Sequence, residues 1–189
     1  CVEIAKKYGV ELLVCSSQNR NSGTMVREKT KMEKMLISGV AADKNVAKIR
    51  VAGLGNDPES TFRLLNLLDR NNLNIDVMIQ SLGKDGTKSV SFTVAKPDML
   101  RTIDVLNDNK DSLGIKKLDY DENVAKISVI GAGVRSHSGV AAKMFGALAN
   151  AGINTEMITT SEIRITALID EAYADQAMRA IHETFLERV

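Results

Sequence analysis

Asn45-Val46-Ala47-Lys48-Ile49 returns as Asn123-Val124-Ala125-Lys126-Ile127, and the repeat that this pentapeptide heads decides the fold. Each copy opens an apolar run ending in Gly-x-Gly, as Gly53-Leu54-Gly55 and as Gly131-Ala132-Gly133. A short polar loop and a helical pattern follow both. Farther on, with the register shifted by two residues, Leu73-Asn74-Ile75-Asp76-Val77-Met78-Ile79 matches Ile153-Asn154-Thr155-Glu156-Met157-Ile158-Thr159. Ser81 and Ser161 close the match. An identical pentapeptide followed by the same succession of patterns marks an internal duplication.

Within the first copy the periodicity alternates between strand and helix. Residues 45–53 read as a strand. Asp57-Pro58-Glu59-Ser60 starts a helix, because proline fits the first turn and an acid suits the positive end of the helix dipole. Phe62, Leu64, Leu65, Leu67 and Leu68 give that helix a broad apolar face. Residues 73–80 form a second strand, and Gly83-Lys84-Asp85-Gly86 supplies a hairpin turn. Val90, Phe92 and Val94 alternate with polar residues, as a half-buried strand requires. Lys96-Pro97-Asp98 opens a second helix carrying Met99, Leu100, Ile103 and Leu106. Ile115, Leu118 and Tyr120 mark a last strand. The order is βαββαβ, the ferredoxin-like arrangement, an α+β fold with antiparallel sheets and helices on one face.

The second copy repeats this through strand 124–130, helix 138–151, strand 153–160, strand 162–169 and helix 171–186. It reaches Val189 without a fourth strand. That would leave an open sheet edge with unpaired backbone groups, which proteins avoid. The helix-like segment 1–8 and the strand-like segment 10–15 are unused, so strand 10–15 is expected to complete the second sheet. The domains are then nested: a first over 45–121, and a second built from 1–44 plus 122–189. The strand-like stretch 35–40 leads into the first repeat, and the Lys/Glu-rich stretch 27–34 is a connector.

Composition narrows the function classes. A chain of 189 residues accommodates two domains of roughly 70–80 residues. With 44% apolar residues it can bury a core in each, which excludes disorder. The 25 basic and 24 acidic side chains are dispersed, so no basic stripe offers a nucleic-acid footprint. No apolar run approaches the ~20 residues that span a bilayer, and no secretory signal is present, so neither nucleic acid nor membrane is expected as a partner. Cys1 and Cys15 form no CxxC pair, Cys15 reads as a small core residue, and a reducing cytoplasm is the expected compartment. The eight methionines read as gap fillers of the core. Both Gly-x-Gly loops lack the third glycine of a dinucleotide fingerprint, since Pro58 and Ser136 stand there. Ser136-His137-Ser138 are neighbours on a loop, which does not create a nucleophile–base geometry. With His137 and His182 the only histidines, a metal site is not expected either. No catalytic residue and no cofactor is expected on this chain.

Ile37-Ser38-Gly39-Val40-Ala41-Ala42-Asp43-Lys44, running into Asn45-Val46-Ala47-Lys48, resembles the entry to the first ACT domain of bacterial aspartate kinases. Residues 73–80 are similar to that family's first effector-binding strand. The stretch from Lys126 to Val140, Lys-Ile-Ser-Val-Ile-Gly-Ala-Gly-Val-Arg-Ser-His-Ser-Gly-Val, is close to a signature of the second ACT domain, as is Ile158-Thr159-Thr160-Ser161-Glu162-Ile163-Arg164-Ile165. The resemblance spans essentially the whole chain. It implies a regulatory region of aspartate kinase, either a natural β subunit or the C-terminal half of a longer chain. ATP and Mg would belong to a catalytic subunit or domain outside this sequence. That catalytic part, a second copy of this chain and an amino-acid effector, threonine and/or lysine, are the implied partners. The implied role is feedback inhibition in aspartate-family amino-acid biosynthesis. A stand-alone ACT protein that senses another small molecule, or only dimerises, is the alternative.

A free amino acid presents a carboxylate, an ammonium and a side chain. The loop Asn56-Asp57-Pro58-Glu59-Ser60-Thr61 ends at a helix N-terminus, whose unpaired N–H groups favour a carboxylate. Asp57, the Asn56 side-chain oxygen or strand carbonyls are candidates for the ammonium, and Gln80 for a threonine hydroxyl or an ammonium. The resemblance adds backbone groups at Asn74, Ile75, Asn154 and Thr155, with Ser161. The effector set is thus Asn56, Asp57, Pro58, Ser60, Thr61, Asn74, Ile75, Gln80, Asn154, Thr155 and Ser161. Family members often carry an acid where Asn56 stands and glycine where Glu59 stands. On their own, Asp57-Pro58 reads as a helix start, Asn74 and Asn154 as strand starts, and Ser161 as part of a hairpin turn.

Overall fold

The structure, a computed structural model, describes residues 4–5, 8–15, 23–26, 37–136 and 139–186. The chain divides into two compact units, residues 1–34 and 35–189. In the first, β1 (Leu12–Val14) pairs antiparallel with β2 (Thr24–Val26), with Leu12 opposite Val26. Residues 4, 5 and 8 are helical, while the rest of the expected helix 1–8 and all of the connector 27–34 lie outside the described residues.

The second unit holds both repeats, each a four-stranded antiparallel sheet. The first runs β4 (Val46–Leu54), α1 (Pro58–Arg70), β5 (Met78–Leu82), β6 (Lys88–Ala95), α2 (Met99–Asp108), the one-turn α3 (Lys110–Leu113) and β7 (Lys117–Asp121). Its strand order is β5-β6-β4-β7. The other sheet is ordered β3-β8-β10-β9, from β3 (Gly39–Asp43), β8 (Val124–Ile130), β10 (Arg164–Asp170) and β9 (Met157–Thr160). A short helical turn α4 (Gly133–Ser136), α5 (Val140–Asn150) and α6 (Ala174–Leu186) complete that repeat. His137 and Ser138 lie outside the described residues.

One expectation is corrected. The fourth strand of the second sheet is β3, which pairs with β8 from Gly39↔Ile130 to Asp43↔Lys126; segment 10–15 instead gives β1, paired with β2. Leu13 and Val14 are each 58% exposed and Cys15, expected as a small core residue, is exposed as well, so their apolar run is not a core strand. Ile37, just ahead of β3, is 3% exposed and packs into the core of the second sheet. The strand that does the work is short and small-residued, Gly-Val-Ala-Ala-Asp, with weak strand propensity. Its position is equivalent to that of β7, since Ala42 faces Ile127 as Tyr120 faces Ile49. The nesting therefore turns on the residues directly preceding β4.

Both strands expected to follow the first helix of a repeat start later than their patterns suggest. Residues 74–77 reach β6 through Thr93: the Asp76 N–H donates to its carbonyl and the Val77 N–H to its Oγ1. The helix-to-strand turns are superposable in kind. Leu73 N–H donates to Leu68 O and Ile153 N–H to Leu148 O, each across a left-handed residue, Asn72 (φ 52°) and Gly152 (φ 71°). Glycine adopts that conformation freely and asparagine tolerates it.

Alternation along the central strands places two cores. Ile49, Val51, Phe92 and Val94 bury against Leu64 and Leu68 of α1 and Leu106 of α2. Ile127, Val129, Ile165 and Ile169 bury against Met144 and Leu148 of α5 and Ile181 of α6. The other face of the central strands contributes Val46, Val124 and Leu168 to a third apolar cluster, which Val77 just before β5 and Met157 at the start of β9 complete, and which joins the repeats. With Leu168 in that cluster and Thr166 hydrogen-bonded to Ser128, β10 is buried on both faces from Ile165 to Ile169.

Candidate effector site

The loop after β4 is shaped by its own side chains. Asp57 caps α1, accepting from the N–H groups of Glu59 (3.0 Å) and Ser60 (2.8 Å), and Pro58 occupies the first turn, where no N–H is needed. The Ser60 hydroxyl donates to the other Asp57 oxygen. A Cβ on Gly55 would come within 2.5 Å of Asp57 Oδ2 and 3.0 Å of Ser60 Oγ. A side chain at Gly55 would therefore disturb the Asp57–Ser60 cap, a local reason for glycine at that position.

This arrangement changes one expectation about the chemistry. The amides of Glu59 and Ser60 already serve Asp57, so the helix start presents a bound carboxylate instead of vacant donors. The Ser60 hydroxyl, with the backbone N–H groups of the cap, outweighs the opposing effect of desolvation and holds the Asp57 carboxyl below the usual aspartate range. Positive charge comes from side chains instead: Lys88 Nζ donates to Asp57 O at 2.7 Å, and Arg63 lies 3.6 Å from Asp57 Oδ1. The Thr61 hydroxyl donates to Gln80 Oε1 at 2.6 Å, tying α1 to β5.

The structure therefore brings Asn56, Asp57, Pro58, Ser60, Thr61 and Gln80 to one end of the first sheet. Asn74 and Ile75 lie at the other end, because β4 and β5 both pair antiparallel with β6 and so run parallel to one another. They line a cleft with Asp43, Asn45, Asp76, Asp98 and Lys126. Asn154 and Thr155 line a separate cleft with Phe145, Leu148, Ala149 and Gly152. Ser161 is a turn residue between β9 and β10: its N–H donates to Arg164 O at 2.7 Å and its hydroxyl reaches the same oxygen at 3.4 Å.

Several charged residues were not anticipated. Lys126 lies 3.0 Å from Asp43 and 2.5 Å from Asp76, with its side chain 15% exposed. These three groups, with Ser128, Arg164 and Thr166, line a cleft of about 120 Å³. Burial alone would lower the Lys126 pKa, yet the hydrogen bonds and charges of Asp76 and Asp43 outweigh it and raise it. Desolvation opposes ionisation of Asp43, but Lys126 and the Asn45 N–H hold its pKa below the usual value. Lys48 pairs with Glu156, and Lys96 with Glu171 at 2.9 Å. The signal was present in the repeat: the pentapeptide lysine and the acid after each Asn-x pair recur at matched positions. Among the described residues no group of three or more His, Cys, Asp or Glu side chains could hold a metal, and no helix is long and apolar enough to cross a membrane.

Comparison with known proteins yields a consistent set. An ACT domain family profile matches residues 127–185. The aspartokinase of Pseudomonas aeruginosa is 37% identical over 187 residues, covering 97% of this chain and 45% of that protein. The chain therefore spans less than half the length of the curated relatives it matches. A crystal structure of aspartokinase alpha and beta subunits shares 42% identity, with a TM-score of 0.74 over 79% of this chain and 98% of the other. The ligand-free regulatory subunit of aspartate kinase from Thermus thermophilus gives 33% identity and a TM-score of 0.75, over 79% and 99%.

Proposed function

The chain belongs to the aspartokinase family, whose regulatory ACT region it matches, and from that premise we propose that it is the amino-acid-sensing module of an aspartate kinase. Its effector is threonine, lysine or both, and its role is feedback inhibition in aspartate-family amino-acid biosynthesis. The supporting observation is the mixed-charge cluster around Asp57, where Lys88 and Arg63 provide cations, Asp57 an anion, and Thr61 with Gln80 a neutral hydrogen-bonding pair. A zwitterion with a polar side chain needs that combination: cations for its carboxylate, acceptors such as Asn56 and Asp57 for its ammonium, and an amide for its hydroxyl or distal ammonium.

Asn74 and Ile75, with Asn154 and Thr155, are assigned to the same function through their backbone groups, and Ser161 is assigned with them. The reading includes a homodimer in which ACT domains of two copies lie side by side, share an eight-stranded sheet through their exposed strand edges and place the effector sites at the seam. The repeats act as a nested pair, the first over 45–121 and the second built from β3 with 122–189. The partner is a kinase catalytic subunit or domain, which binds ATP and Mg and phosphorylates aspartate. Effector binding favours the arrangement that holds this partner inactive, which requires a coupling free energy of about 1–3 kcal/mol between effector and kinase states. The cytoplasm is the assigned compartment. Isothermal titration of the folded chain with threonine, lysine and methionine tests the reading. Saturable binding of threonine or lysine is expected, and the absence of heat with both overturns it.

A further inference from the structure

Each repeat carries an acid directly after its Asn-containing segment, Asp76 after Asn74-Ile75 and Glu156 after Asn154-Thr155. The two acids are fixed to their own sheets in the same way. Asp76 N–H donates to Thr93 O at 3.1 Å and Glu156 N–H to Leu168 O at 2.8 Å. Thr93 faces Lys48 in the strand register and Leu168 faces Lys126. The side chains, however, reach across. Asp76 of the first repeat pairs with Lys126 of the second, and Glu156 of the second pairs with Lys48 of the first.

Both lysines stand at the fourth position of the repeated pentapeptide, on one of the two central strands of each sheet. They flank the apolar joint of Val46, Val77, Val124, Met157 and Leu168. The lysine side chains are 23% and 15% exposed and their acidic partners 34% and 47%, so the lysine ends are the more sheltered half of each pair. Two packed strands with exchanged ion pairs form a joint in which neither acidic segment can shift without disturbing a lysine of the other repeat.

We infer that these crossed ion pairs couple the segments 74–76 and 154–156, so that a ligand seated on one segment alters the other. The inference rests on the proposal that Asn74-Ile75 and Asn154-Thr155 contact the effector, and it names the path by which one repeat senses the occupancy of the other.

The coupling itself is testable without any effector, by amide hydrogen exchange at Asp76 and Glu156 in the full chain. Lys126→Met removes the charge that holds Asp76. It is expected to accelerate exchange at Asp76 and also, by about twofold or more, at Glu156 in the other repeat. Lys48→Met is expected to act reciprocally. Asp76→Asn, which preserves shape, is a second variant that must reproduce the Lys126→Met pattern. Lys126→Arg keeps the charge and is expected to leave both rates within about twofold of wild type. Acceleration confined to the segment that lost its own partner would overturn the proposal, as would equal effects of Lys126→Arg and Lys126→Met. Titration of the wild-type chain with threonine and lysine reads the sensor function separately: absence of binding rejects that function and leaves the exchange result to decide the coupling.

Discussion

Replacing Leu168 by alanine probes the joint between the repeats. Leu168 is 2% exposed on β10 and packs with Val46, Val77, Val124 and Met157, outside the helix-covered core on the other face of the strand. The substitution deletes three carbons, a transfer loss of about 2.4 kcal/mol at ~0.8 kcal/mol per buried methylene. The residual cavity adds to this, and Leu→Ala changes in cores span about 2–5 kcal/mol. Met157, flexible and polarizable, borders the site and can relax into part of the space. The expected loss is therefore about 3 kcal/mol, in the lower half of that range. Urea unfolding should show the midpoint falling by about 1 M with an unchanged slope, the mark of a stability loss without a change in exposed area. Ile163→Ala, at a residue 60% exposed, serves as the control and should stay within about 0.5 kcal/mol of wild type. A loss below about 1 kcal/mol at Leu168 would match a surface site and would refute the packing of the two repeats against each other.

The helix-end turns give a second test: Gly152→Ala places a Cβ at φ 71° and should cost about 1–2 kcal/mol, whereas Asn72→Gly should not destabilise. Equal melting temperatures for wild type and Gly152→Ala would contradict the left-handed turn. Acid stability is a third. Asp43, Asp57, Asp85 and Asp175 all have lowered pKa values, so their contribution is present above the ordinary aspartate value of about 3.9 and is lost as pH falls through the lower folded values. Lys126 has the opposite sign: its raised pKa contributes fully below about 10.4 and is lost as pH rises past that. Urea midpoints should hold steady near neutrality and fall at both extremes; a midpoint unchanged between pH 5 and pH 2 would count against the carboxylate contacts. Finally, Gln80→Ala removes the acceptor of the Thr61 hydroxyl and should weaken threonine or lysine binding about fivefold, the worth of one neutral hydrogen bond. Unchanged affinity for both takes Gln80 out of the site.

Much of the fold was legible because its signals are local and doubled. The pentapeptide, the proline at the start of α1 and the alternation of Val90, Phe92 and Val94 each reflect a contact within a few residues of chain or with a neighbouring strand. What escaped was non-local or weakly encoded. Strand β3 has small residues and a glycine, so the stronger apolar run at 10–15 outcompeted it on pattern alone, although burial of Ile37 decides the matter in the folded chain. At the candidate site, Asp57 and Pro58 were recognisable as a cap, but whether the cap leaves amides vacant depends on a rotamer that sequence does not encode. Gln80 could be named but not paired with Thr61, since nineteen residues separate them. The crossed lysines and acids were visible as repeated letters; their exchange between repeats depends on how the two sheets face one another.

The most direct test of the sensor assignment is a crystal structure of the chain grown with threonine and another grown with lysine. The account predicts density for at least one amino acid against Asn56, Asp57 and Gln80, with its carboxylate toward Lys88 or Arg63. A folded chain with that cluster empty in both crystals at saturating ligand, or with the amino acid seated away from it, would contradict the account.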